Sequence, residues 1–205
     1  MTSARVRRRV WLLLAGLLVT LPLLAQAAVT VTGADGRVLR LAAPATRIVS
    51  LAPDLTELSF DVGAGAALVG VSRYSDHPAA AKKLPRVGDA FQFDIERIVA
   101  LQPDLVLAWQ TGTPDAAIQR LRALKLPVLV IGARHLADIA ANLELLGKVT
   151  GHEARAQVAV GQFLAGLRQL RDRYAADRPV RVFYEISATP IYTVGGSQLI
   201  SSAIE

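Results

Sequence analysis

The chain has 205 residues, 52% of them hydrophobic and 20% charged, with a formal net charge of +6 and no cysteine. This length can bury a core, and this composition excludes a wholly disordered chain. The absence of cysteine removes disulfides, thiolate metal clusters, a cysteine nucleophile and cysteine-linked lipid.

The first nine residues carry Arg5, Arg7, Arg8 and Arg9, and an apolar run from Val10 to Ala25 follows. Ala25-Gln26-Ala27 supplies small residues at a signal-peptidase spacing. That order of charged, apolar and small-residue regions predicts a cleavable export signal over residues 1–27. The run is short of the roughly 20 apolar residues a membrane span needs. Arg8-Arg9 leaves a twin-arginine route open beside the general one. Without the four arginines, 19 basic residues face 17 acidic ones. A nearly balanced surface gives no electrostatic case for nucleic acid.

Val29–Thr32 and Val38–Leu41 flank Asp35-Gly36 and predict a hairpin. Arg47–Leu51 reads as a short strand. Asp54 to about Gly63 reads as a helix with an acidic first turn and a glycine stop. Leu68–Val71 is another apolar strand, followed by the loop from Ser72 to Pro78. Residues 82–88 read as irregular. Asp94 caps a helix over Ile95–Leu101. Leu105–Trp109 and Pro127–Ile131 are continuous apolar strands around a helix over Asp115–Leu124. Leu136–Val149 reads as a further helix. Apolar strands alternating with helices predict an α/β lobe over residues 28–150, with a mostly parallel sheet covered on both faces. Ligands of such sheets lie outside the strands' carboxyl ends. The loops after Leu51, after Val71 and at Trp109 are therefore expected to share a rim.

Apolar residues at helical spacing over about 152–177 predict one long helix, a spine linking two lobes. Val180–Tyr184 and Ile191–Val194 read as strands and Leu199–Glu205 as the start of a helix. The domain expectation is a linking helix over 151–178 and the first part of an incomplete second α/β lobe over 179–205.

The chemistry-bearing residues are sparse. No HxH or HExxH spacing joins His77, His135 and His152, so no metal site is expected, and Asp76-His77 reads as a solvated loop pair. No GxSxG elbow occurs, and Ser50 and Ser75 have no identifiable base. No catalytic residue is therefore assigned, and the chain is not expected to be an enzyme. No nucleotide-binding glycine loop lies on the rim. Tyr74 and Trp109 fall on the expected rim, where each either packs into the core or presents a flat face to a large ligand. Phe91 and Phe93 either line that cleft or cap the nearby helix. Glu96 either compensates the helix dipole or docks onto a partner's arginine.

Three segments, RIVSLAPDLTEL at 47–58, VGVSRYSDHP at 69–78 and IERIVALQPDLVLAW at 95–109, resemble the vitamin B12-binding periplasmic proteins of bacterial ABC importers. The likeness extends weakly through Val180–Gly196. It implies a two-lobed α/β binding protein joined by one long helix, with cobalamin as transported ligand and no catalytic cofactor. By this resemblance Tyr74 and Trp109 would contact the corrin ring, and Glu96 would salt-bridge arginines of the membrane permease. A family tryptophan is absent near Ala90, where Phe91 would substitute. The first and third segments are shared with haem and iron–siderophore binders, which form the same-class alternative. An exported α/β hydrolase is the alternative of another class. The chain is expected to be a monomer, and to bind ligand poorly unless extended by the rest of the second lobe.

Overall fold

A computed structural model describes residues 27–196 and 198–204. The export signal expected over 1–27 lies outside the described residues, save Ala27.

Strands β1 (Val29–Thr32) and β2 (Val38–Leu41) pair antiparallel, Val29 opposite Leu41 and Thr32 opposite Val38. Alternation turns Val29 and Val31 inward and Thr30 and Thr32 outward, the period-2 pattern of a half-buried strand. The hairpin expected at Asp35-Gly36 is present, with Gly36 at φ +76°.

Four parallel strands form the main sheet: β3 (Ile48–Ser50), β4 (Leu68–Val71), β5 (Leu105–Trp109) and β6 (Val128–Ile131), in the order β4-β3-β5-β6. Their continuous apolar runs reflect burial on both sides. Successive residues point to opposite faces and into two separate cores. Ile48, Leu105, Leu107, Leu129 and Ile131 join one core. Val49, Val106, Ala108, Val128 and Val130 join the other.

Helices α1 (Pro53–Asp61), α4 (Leu136–Thr150) and the first half of α5 (Glu153–Tyr174) cover the first face, together with the hairpin. Helices α2 (Ile95–Ala100) and α3 (Asp115–Ala123) cover the second through Ile98, Ile118 and Leu121. Helix α4 ends at Gly151, whose φ of +71° is the left-handed conformation that stops a helix, and α5 folds back against α4. Residues 82–88 are more ordered than expected. After a short 3-10 turn at Ala79–Lys83, Arg86 bridges Val71 in parallel and extends the sheet past β4.

The long helix is present over 22 residues, about 33 Å at 1.5 Å per residue. Only Ala156 and Val160 are buried along it, and from Arg168 onward it is exposed. Beyond it the strand expected at Val180–Tyr184 is absent, a correction to the sequence reading. Its valines and aromatics suit a strand, but unpaired N–H and C=O groups do not make one. Among the described residues no strand pairs with it, and Val180 and Phe183 are 82% and 72% exposed. Of the strand expected at Ile191–Val194, only Ile191–Tyr192 (β8) forms, against Ser187–Ala188 (β7). Leu199–Ile204 closes the described chain as helix α6.

Candidate functional site

The order β4-β3-β5-β6 sends the chain from β3 outward to β4 on one side and later to β5 on the other. Such a switch opens a crevice at the carboxyl ends of β3 and β5. A cavity of about 300 Å³ lies there, lined by Leu51–Asp54 after β3, Ser72–Tyr74 after β4, Asp89–Phe91, and Trp109 and Gly112 at the end of β5. The three loops expected to share a rim do share it. Tyr74, Phe91 and Trp109 all line the same cavity. Phe93 does not. It is buried in the second core, so the two phenylalanines divide between cleft and core.

The exposures differ among the three aromatics. Phe91 is 96% exposed and Tyr74 70%, whereas Trp109 is partly buried and packs against the first core. Thr113 pins the β5 end. Its hydroxyl accepts from the Trp109 N–H at 2.9 Å, and its own N–H donates to the Trp109 carbonyl at 2.9 Å.

Tyr74 holds a left-handed backbone, φ +68°, which a bulky side chain rarely adopts. Such strain persists only where surrounding contacts overdetermine it. Here they do. Ser50, Thr56, Ser72 and Ser75 are at most 2% exposed and form one buried hydroxyl chain. Ser72 and Ser75 Oγ lie 3.0 Å apart, Ser75 and Thr56 3.1 Å, and Thr56 and Ser50 3.0 Å. Ser50 donates to the Ala52 carbonyl at 2.9 Å. Thr56 is the donor at the centre of this relay, its one proton within reach of Ser75 Oγ, Ser50 Oγ and, at 3.1 Å, the Ala52 carbonyl, and each of the four oxygens has a partner. Arg86 adds bonds from Nη1 to the carbonyls of Ser72 and Ser75 and an ion pair from Nη2 to Asp76 at 2.9 Å. The polar partners of Ser50 and Ser75 are thus other hydroxyls, backbone groups and Arg86, the wiring of a scaffold.

A second clamp ties the Tyr74 loop to the Phe91 loop. Arg73 donates its N–H to the Gly88 carbonyl at 2.6 Å, and its guanidinium pairs with Asp89 at 3.2 Å. Asp89 Oδ1 also accepts the N–H groups of Phe91 and Gln92. Those two N–H groups hold its carboxyl below the usual carboxylate range, with Arg73 assisting. Gly88 has φ +113°, and a Cβ there would collide with the Gln92 backbone. Asp54, at the start of α1, lines the cavity beside Trp109, and burial pushes its carboxyl above the usual range.

Glu96 lies in the first turn of α2, fully on the surface, and has no ion-pair partner among the described residues. The cap expected at Asp94 is present, its carboxylate accepting from the Arg97 N–H at 2.9 Å. With Phe91, Arg73 and Asp89, Glu96 lines a shallow depression adjoining the aromatic cavity. Asp76 and His77 are both exposed, and no group of three or more metal-ligating side chains occurs among the described residues.

Sequence reasoning missed the hydroxyl relay, Asp89 and Asp54. The signal available for the relay was the pair of polar positions, Ser50 and Thr56, inside otherwise apolar runs. No pattern in the chain linked them to Ser72 and Ser75.

Residues 48–204 match the family described as periplasmic binding protein. A vitamin B12-binding protein of Yersinia pestis (strain Pestoides F) is 40% identical over 160 residues, covering 78% of this chain and 57% of that relative. The periplasmic vitamin B12 binding protein BtuF of Vibrio cholerae superposes with a TM-score of 0.72 at 38% identity, over 78% of this chain and 62% of that one. A periplasmic heme binding protein from Pseudomonas aeruginosa gives a TM-score of 0.61 at 32% identity, over 64% of this chain and 48% of that one. The chain spans less than two thirds of the length of each of these relatives.

Proposed function

Because the chain belongs to the periplasmic binding protein family, we propose that its rim cavity captures cobalamin and that the loaded protein delivers it to the membrane permease of an ABC importer. The observation that carries this reading is the gathering of Tyr74, Phe91 and Trp109 around one cavity at the sheet's switch point. A corrin ring is broad and flat, and stacking on preset rings recovers apolar area without ordering flexible side chains. The vitamin B12-binding relatives supply the ligand class. Phe91 stands one residue from the position where the family's tryptophan is expected and offers a ring of its own.

In this reading residues 1–27 are an export signal and the protein works in the periplasm as a monomer. Residues 28–150 are the first lobe, 151–178 the linking helix, and the chain from 179 onward belongs to a second lobe that faces the cavity. The 300 Å³ on this wall is at the low end of the roughly 300–1,000 Å³ typical of ligand sites, as one side of a two-sided cleft requires. Glu96 is the permease-docking charge. It stands on a helix whose Ile98 is locked in the core, so its position is rigid. The protein is a carrier and does no chemistry on its cargo.

Trp109 is the only tryptophan outside residues 1–27, so its fluorescence reports on the cavity alone once the signal is removed. Titration with cyanocobalamin should quench it saturably but weakly, as one wall of a two-walled cleft binds, and Tyr74→Ala should weaken binding by about a further tenfold, the value of one stacked ring. Haemin is the competing cargo. A shifted Soret band that is lost in Tyr74→Ala, with no quenching by cyanocobalamin, would overturn the reading.

A further inference from the structure

We propose that Asp54 makes this cavity selective for a ligand whose edge carries neutral carboxamides, against one whose edge carries carboxylates. The inference rests on the cobalamin reading and names the chemistry by which the same site tells its cargo from other flat tetrapyrroles.

Asp54 occupies the wall between two chambers. It lines the aromatic cavity with Tyr74, Phe91 and Trp109, and also an adjoining chamber of about 290 Å³ beside Trp109, Thr111, Ala133 and Val194. In that second chamber it is the only charged residue among those lining it. In the first, the other two charges are Arg73 and Asp89, which pair with each other. The charge left for a ligand at this wall is therefore that of Asp54. The backbone N–H groups of Leu55 and Asp54 relieve its carboxylate in part, and Glu57, one turn along α1, adds a like charge. Among the described residues no side chain donates a hydrogen bond to Asp54. A carboxylate taken partly out of water without a side-chain donor gains from any N–H a ligand brings.

The consequence differs by ligand edge. A primary carboxamide offers two N–H donors, and a charge-assisted hydrogen bond to Asp54 replaces lost water. A carboxylate at the same place sets two like charges together in a poorly solvated crevice. One must then take up a proton or lose its solvent, which costs about one to three powers of ten in affinity at hydrogen-bonding distance. Both corrinoids and haem are flat enough to lie on the rings. A half-buried charge on the wall separates them where ring stacking does not.

The test compares cyanocobalamin with its monocarboxylic acids, in each of which one peripheral amide is hydrolysed, by quenching of Trp109. The wild-type chain should bind at least one of these acids about tenfold more weakly than cyanocobalamin. Asp54→Asn should remove that penalty, so that the ratio of the acid's Kd to that of cyanocobalamin falls to near one, even as cyanocobalamin itself loses the charge-assisted bond and binds more weakly. Asp54→Glu, which keeps the charge, should retain the penalty and so separates charge from shape. Equal binding of all the acids and cyanocobalamin by the wild type overturns the inference, as does a penalty that survives in Asp54→Asn. Saturable quenching without discrimination leaves the cobalamin reading standing and sinks this inference alone. No quenching by cyanocobalamin itself sinks both.

Discussion

Thr56→Val removes one oxygen from the buried relay and keeps the side chain's shape. Thr56 Oγ1 stands between Ser50 Oγ at 3.0 Å and Ser75 Oγ at 3.1 Å, with all three residues at most 1% exposed. Without it, Ser75 Oγ and Ser50 Oγ each lose Thr56 as a donor in a place water does not reach, and keep Ser72 Oγ and the Ala52 carbonyl as their remaining partners. Each buried hydrogen bond lost is worth about 0.5–1.5 kcal/mol, so losing the two predicts a destabilisation of about 2 kcal/mol. For a domain of this size that lowers the Tm by about 4–8 °C. In urea it moves the midpoint down by about 1 M at an unchanged slope, for a slope of about 2 kcal/mol per M. The damage should also reach the rim, because Ser75 follows Tyr74, whose left-handed backbone the relay holds in place. Cyanocobalamin quenching of Trp109 should therefore weaken in Thr56→Val. The double variant Thr56→Val/Ser75→Ala removes both ends of one shared hydrogen bond and should be less destabilised than the two single losses added, by more than about 0.5 kcal/mol. A midpoint within about 0.2 M of wild type, or strict additivity, would refute the relay as the rim's scaffold.

Three further outcomes follow from the same geometry. Tyr74→Asn places a residue that tolerates φ +68° at an exposed position. Urea unfolding should show stability kept or raised by up to about 1 kcal/mol, while cyanocobalamin binding falls about tenfold. Gly88→Ala forces a Cβ into the Gln92 backbone at φ +113°, and chemical denaturation should show a loss of about 2 kcal/mol or more. Asp138 accepts the N–H groups of Arg134 and His135 at 2.8 and 2.9 Å, which hold its carboxyl below the usual range. The folded state therefore binds fewer protons than the unfolded one between the two pKa values, and stability rises with pH there. The Tm gap between wild type and Asp138→Asn should be full at pH 7 and close as pH falls below about 4.

The elements of the first lobe were legible because each carries its own period. VLVI at 128–131 and LVLAW at 105–109 are apolar at every position, which only a strand buried on both faces requires. Asp94 before Ile95 and Gly151 after Thr150 mark helix ends by local chemistry that any sequence window contains. The rim position of Tyr74 and Trp109 followed from the rule that ligands meet parallel sheets at their carboxyl ends. The same local reasoning failed at Val180–Tyr184. Its β-branched and aromatic residues state a preference that only a neighbouring strand can satisfy.

What the chain determined by itself was therefore everything set within a few residues: strands, caps, turns and the order that makes the sheet parallel. Tertiary structure alone decided that Phe91 faces the cleft while Phe93 fills the core, and that four hydroxyls spread between Ser50 and Ser75 close into one relay. It also decided that Asp54 lines the same two chambers as Trp109, with no side-chain hydrogen-bond donor among the described residues. The physical reason is range. Propensity and periodicity act along the chain, whereas hydrogen-bond satisfaction and charge burial depend on which distant loops the sheet's strand order brings to one edge.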